Sequence, residues 1–157
     1  MGTSRETMTV DFKFRRAPAY RLATLSWKGP WSDARVRAKF GVIARWARAH
    51  GVRTGAWVFF EPGERSFRVG IEVRGKARSD RTVRLRTYPS ARVASVVFDP
   101  DVISPRVVYH GITDWLRWRK KEHEVRSVGQ YREVYVGDPW RNKNAYARTE
   151  VQVVVRP

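Results

Sequence analysis

Residues 129–140 read GQYREVYVGDPW and residues 55–62 read GAWVFFEP, and the fit of one onto the other decides the fold. Setting Gly55 on Gly129 requires an offset of 74 residues, Pro18 on Pro89 one of 71, and Pro62 on Pro139 one of 77. So small a drift across distant landmarks marks an internal duplication. Both stretches also alternate as strands do, with side chains two apart on a common face. Tyr131, Glu133 and Tyr135 therefore project together, and Val134 and Val136 project to the other side. A carboxylate flanked by two phenols is an unusual strand face.

Working outward, each copy predicts the same order of elements. Val10 to Arg16 alternates Val10, Phe12 and Phe14 against Asp11, Lys13 and Arg15, which is the period of a half-covered strand. After Ala17-Pro18, residues 19–27 (AYRLATLSW) read as a second strand, and the two together predict a hairpin. Ser32 is placed as a helix N-cap with Asp33 in the first turn. Val36, Phe40, Ile43, Ala47 and His50 form the apolar stripe, and Gly51 stands at the C-cap. Strands over 55–61 and 67–74 follow, joined by a turn at Glu61-Pro62-Gly63-Glu64.

A polar stretch, GKARSDR at 75–81, separates the copies. The second copy reads as strands over 82–88 and 91–98, then a helix from Ser104-Pro105 to about Lys121 with Val108, Ile112, Trp115 and Leu116 inward. Strands over 129–136 and 146–155 close it. The predicted class is α+β, one domain over 1–157 built from two β-β-α-β-β repeats at about 9–75 and 82–156. Its sheet is antiparallel, of about eight strands, with two long helices.

The totals exclude several functions. With no cysteine, disulfides, thiolate zinc sites and cysteine nucleophiles are out. No run approaches the roughly 18 apolar residues of a membrane span, and MGTSRETMTV lacks a leader's apolar core, so a cytoplasmic location is expected. No Walker or Rossmann glycine pattern and no Ser-His-Asp order is present. His50, His110 and His123 lack metal-ligand spacing, so neither a metal nor a cofactor is expected. The net charge of +17 suggests a polyanion partner, yet arginines recur along nearly every segment, as the solvent face of a sheet would show (Lys13, Arg15, Arg84, Arg86).

The pairing of the repeats turns the odd strand face into half of a site. Trp57 and Phe59 match Tyr131 and Glu133, so two walls are expected across a pseudodyad, Trp57 and Phe59 on one and Tyr131, Glu133 and Tyr135 on the other. Trp140 and Tyr146 extend them. Aromatic faces favour a cation by about 0.5–2 kcal/mol each, and the carboxylate supplies the counter-charge. Buried without a cation, a carboxylate is also a candidate general acid or base. The competing reading places Tyr, Glu and Tyr on a solvated face paired with arginines, ordinary sheet chemistry. Glu150, in TEVQV, is either such a pairing partner or support for a site.

The duplicated pattern, Pro18-Ala19, the Gly-Pro-Trp turn at 29–31, Trp46 with His50-Gly51, the Glu-x-Tyr strand ending at Asp138-Pro139, and Thr149-Glu150-Val151 together resemble the GyrI-like family of effector-binding domains. The resemblance covers residues 9–156. It implies two SH2-like repeats with a cavity for lipophilic cations at their junction, Glu133 being the central glutamate. Some stand-alone members are hydrolases of cyclopropane-containing toxins, which by resemblance makes Glu133, Tyr135 and Tyr109 catalytic candidates. The sequence departs from the pattern at Asp99-Pro100-Asp101 and at His123 after the second helix. The expected function is a stand-alone binder of cationic aromatic compounds with hydrolysis as an added activity. The alternative is a basic nucleic-acid- or gyrase-associated interaction protein. Haem binding through His50 or His110 is a weaker rival, because the SOUL family is similar to this fold.

Overall fold

The computed structural model describes residues 10–157. The N-terminal stretch expected to lack a leader, and the opening of the first repeat at residue 9, lie outside the described residues. The elements run β1 (Lys13–Ala17), β2 (Tyr20–Lys28), α1 (Asp33–Ala49), β3 (Arg53–Gly63), β4 (Ser66–Arg74), β5 (Arg84–Tyr88), β6 (Ala91–Phe98), α2 (Pro105–Lys121), β7 (Ser127–Tyr135), α3 (Lys143–Ala147) and β8 (Thr149–Arg156). The fold is α+β, with eight antiparallel strands in the order β1-β6-β8-β7-β3-β4-β2-β5. Exchanging the halves (β1 with β5, β2 with β6, β3 with β7, β4 with β8) reproduces that order reversed, so a pseudodyad passes between β3 and β7. Gly55 and Gly129 each lie inside a register shift of their strand, one bulge per repeat at the same offset.

The predicted hairpins do not form. β1 pairs with β6 and β2 with β5, so each repeat lends its first strand to the other. The reason lies in the links, Pro18-Ala19 and Pro89-Ser90. A two-residue hairpin turn needs positive φ at one or both positions, whereas proline holds φ near −65° and neither link contains glycine. No residue of either link has positive φ. The chain therefore runs on instead of reversing, and two residues must join strands at opposite ends of the sheet order. That is met only if the sheet curls until its ends meet. There the Ser90 hydroxyl donates to the buried Ala17 carbonyl at 2.8 Å.

Two further boundaries moved. β3 continues through Pro62 to Gly63, and the reversal falls at Glu64-Arg65, with Arg65 at φ 53°. Pro62 is tolerated because the ladder is already broken between Phe60 and Gly63. Tyr146 sits in the short α3, capped by the Asn142 side chain, and not in the last strand. After α2, His123 adopts φ 61°, the left-handed position that Gly51 fills after α1 at φ 63°.

Both long helices lie on one face of the sheet. Ser32 caps α1 by accepting from the Arg35 amide at 3.2 Å. Val36, Phe40, Ile43, Trp46 and Ala47 of α1 pack onto β2, β3 and β4, each large side chain contributing about 1.5–3 kcal/mol by burial. Val108, Ile112 and Leu116 of α2 pack onto β6 and β8, with Phe12 and Phe14 around Trp115. The inner face of the curl carries its own small core of Tyr20, Leu22, Val58, Phe60 and Val134. Lys13, Arg84 and Arg86 are exposed, as their alternation predicts. Among the described residues no helix is long and apolar enough to cross a membrane.

Candidate functional site

The pseudodyad fixes where the chemistry gathers. β3 and β7 are antiparallel neighbours with Phe59 opposite Glu133 and Trp57 opposite Tyr135, so these residues form one floor. This corrects the expectation of two facing walls, since adjacent strands of one sheet present their side chains in parallel. The walls come from the two helices and from residues 139–146.

A cavity of about 460 Å³ opens on that floor, lined by Phe59, Glu133 and Tyr135 from the sheet, Val36 and Phe40 from α1, and Trp140 and Tyr146 from the segment between β7 and β8. Pro105, Pro139, Asp33 and Trp31 complete it. Trp31 is 56% exposed and meets Phe59 edge-on at 5.5 Å, as a mouth residue should. The structure thus brings Phe59, Glu133, Tyr135, Trp140 and Tyr146 together. Trp57 stacks on Phe40 at 4.8 Å and faces a neighbouring groove. Tyr131 lines a second cavity of about 440 Å³, with Tyr109, Gln130, Glu61 and Phe59.

Glu133 is half-buried on the floor of the first cavity, opposite Phe59, which lines both. Tyr109, reaching from α2, donates to Oε1 at 2.6 Å, and Tyr135 donates to Oε2 at 2.6 Å. Tyr131 is tied to Thr113 of α2 by a 2.7 Å hydroxyl pair. Desolvation, reinforced by the charge of Glu133 and the bonds to it, pushes the phenols of Tyr109 and Tyr135 far above the ordinary tyrosine range. Both are proton donors throughout the neutral range. Glu61 stands exposed at the rim of the second cavity, its carboxyl raised by partial desolvation and then by the charge of Glu133.

No lysine or arginine among the described residues forms an ion pair with Glu133. Glu150, one strand over, is of the opposite kind: on the inner face of the sheet it accepts from Arg15 at 2.6–2.8 Å and from Ser95 at 2.5 Å. Of the two readings offered for Glu150, pairing is the one present. His110 and His50 are exposed, and no group of three His, Cys, Asp or Glu among the described residues is placed to hold a metal ion.

Sequence reasoning missed Trp31, Phe40, Pro105, Thr113 and Glu61. Phe40 was visible only as a core residue of the α1 stripe. Glu61 carried a readable signal, since the 74-residue offset places it on Tyr135.

No family model and no curated protein matches the chain. Solved structures do. The EcmrR C-terminal domain superposes with a TM-score of 0.74 at 13% identity, over 95% of this chain and 99% of that one. A hydrolase from Listeria innocua gives 0.55 at 10% identity, over 92% and 91%. SAV2435, solved bound to tetraphenylphosphonium, gives 0.47 at 9% identity over 93% and 94%, too loose a superposition to carry an argument. The chain shares the fold of the EcmrR C-terminal domain.

Proposed function

We propose that the central cavity binds a lipophilic aromatic cation, with Glu133 as its counter-ion. One observation carries the reading: in a chain of net charge +17, the carboxylate at the centre of an aromatic cavity has no basic partner among the described residues. Phe59, Trp140, Tyr146 and Tyr135 offer ring faces, and the two phenols hold the carboxylate in place for a cation entering past Trp31. Tyr131 and Trp57 flank the site from the adjoining cavity and groove and shape its floor. Both repeats contribute to the cavity, so they act as one domain. The positive surface repels cations at long range, and the affinity is local. Quenching of the seven tryptophans by rhodamine- or acridine-type cations tests this. Glu133→Gln abolishes most of the quenching; equal affinity in the variant overturns the assignment.

Hydrolysis is a second reading, favoured by the paired bonds at Glu133. Its carboxylate retains lone pairs beyond those the phenols occupy and takes a proton from water. The water oxygen then bonds to a ring carbon of a cyclopropane-bearing electrophile. The strained C–C bond breaks, and its electron pair receives the proton of Tyr109 or Tyr135. Ring opening followed with wild type and Glu133→Ala decides it, equal rates removing the catalytic role.

A further inference from the structure

Beside the central cavity runs a groove of the opposite character. Arg37, Arg45 and Arg48 of α1 rim it, with Gly41 between them, at steps of four, four and three that define one flank of a helix. At ~1.5 Å rise per residue the row extends about 16 Å. Arg141 faces it from the far bank, and the floor is apolar, with Trp57, Trp140, Ala44 and Val52. The groove encloses about 550 Å³. The row is open at Gly41, where a Cβ would meet only the end of the Arg45 side chain at 3.6 Å.

The charge of this groove is not balanced from within. Among the described residues no carboxylate pairs with Arg37, Arg45 or Arg48, and none of their side chains makes a hydrogen bond. The one acid on the lining, Asp138, is occupied by the Trp140 amide at 2.9 Å and lies 3.9 Å from Arg141. Arginines spaced along a helix flank and indole rings in the same groove are the two parts a single-stranded nucleic acid requires, cationic contacts for the phosphates and aromatic faces for the bases. A lone phosphate would engage one end of the row. A strand rising ~3.4 Å per nucleotide reaches its length with about five nucleotides.

We propose that this groove binds a short single-stranded nucleic-acid segment, with phosphates along Arg37, Arg45 and Arg48 and a base against Trp140 or Trp57. The site is separate from the cation cavity, and Trp140 is the partition they share. A duplex keeps its bases stacked on one another and offers none to the indoles.

The test is a fluorescein-labelled ten-residue oligothymidylate titrated by anisotropy, with tryptophan emission read in parallel. Expected are tryptophan quenching and a log–log salt slope near −2 to −3, from ~0.7 per phosphate contact. R45E/R48E weakens binding at least ten-fold while a rhodamine-type cation still binds, because neither arginine lines the central cavity. Survival of the cation site in the variant also shows that it folds. The proposal is overturned by any of three results: no binding of the oligomer at 50 mM salt, affinity unchanged in R45E/R48E, or thymidine monophosphate competing at the same concentration as the oligomer. A duplex of equal length bound as tightly, without quenching, overturns it as well.

Discussion

Glu133 and Glu150 stand on neighbouring strands, β7 and β8, one residue out of register, since Glu133 pairs with Val151 and Val134 with Glu150. They point to opposite faces of the same sheet and have met opposite fates. On the inner face Glu150 is gripped by Arg15 from β1, the strand that the first repeat lends to the second, and by Ser95 from β6. On the helix face Glu133 receives, among the described residues, only phenols. Arginine is plentiful in this chain, so the lack of one beside Glu133 is a matter of placement and not of supply. Where the fold neutralises its own carboxylate the result is structural, and where it withholds the cation a ligand can provide it.

Breaking the structural half should cost the most. Arg15→Ala leaves the Glu150 carboxylate, whose side chain is 13% exposed, without its cation. Orphaning a charge of this burial costs about 2–3 kcal/mol, set below the fully buried range because Arg15 is a third exposed. Chemical denaturation measures it, and at ~2–4 °C per kcal/mol the melting temperature falls by roughly 5–10 °C. A loss within 0.5 kcal/mol would show a screened surface pair instead. The double variant Arg15→Met/Glu150→Leu recovers most of the loss, since removing both charges removes the desolvation cost with them.

Breaking the functional half should leave stability nearly untouched. Glu133→Gln keeps a carbonyl oxygen for one phenol and changes unfolding free energy by less than about 1 kcal/mol. Affinity for a rhodamine-type cation falls about 10- to 100-fold, equivalent to roughly 1.4–2.8 kcal/mol. A variant that loses stability as Arg15→Ala does, but keeps its affinity, would exchange the roles assigned to the two glutamates.

The phenols set a pH dependence that only the functional half shows. In the unfolded chain Tyr109 and Tyr135 titrate near 10, and in the folded protein desolvation and Glu133 hold both protonated well beyond that. Their contribution to stability is complete below pH 10. It is lost as pH climbs further, because the unfolded state sheds protons that the folded state retains. Urea midpoints should be flat between pH 7 and 9 and decline above 10, with a shallower decline in Tyr109→Phe/Tyr135→Phe. Absorbance at 295 nm gives a direct view, with at least two of the six tyrosines silent until the protein unfolds.

The sequence carried a good deal of this, and the parts it hid share a cause. Helix limits were legible because their signals are local: Ser32 and Gly51 bracket α1 one residue outside Asp33–Ala49 at the start and two at the end. The repeat was legible because landmarks recur, and it pointed to Glu133 between its phenols. Strand exchange was not, since alternation reports that a segment is a strand and says nothing about its partner. The Pro18-Ala19 and Pro89-Ser90 links held the clue, through φ values that forbid a tight reversal. Trp31 and Phe40 join the cavity only after α1 docks on β3, a contact that no spacing encodes. Trp57 faces the neighbouring groove and not a second wall for a related reason: the repeat gives equivalence between the halves but not that β3 and β7 lie side by side in one sheet.

The smallest test compares one hydroxyl at each carboxylate. Ser95→Ala removes a bond to Glu150 on the inner face, where Arg15 still compensates the charge, and costs about 1 kcal/mol. Tyr109→Phe removes the corresponding bond to Glu133, but Glu133 lines the central cavity and the lost hydroxyl lines the second, so water can replace the phenol and the stability loss is smaller, about 0.5 kcal/mol. The orders reverse for ligand affinity. Ser95→Ala lies on the far side of the sheet and leaves cation binding unchanged, whereas Tyr109→Phe frees the carboxylate to move and weakens binding about two- to five-fold, the equivalent of roughly 0.4–1 kcal/mol. Parallel denaturation and quenching titrations on the two variants read both orders. If Ser95→Ala altered affinity as much as Tyr109→Phe, the two faces would be coupled through β7 and β8, and the division of labour between the glutamates would fail.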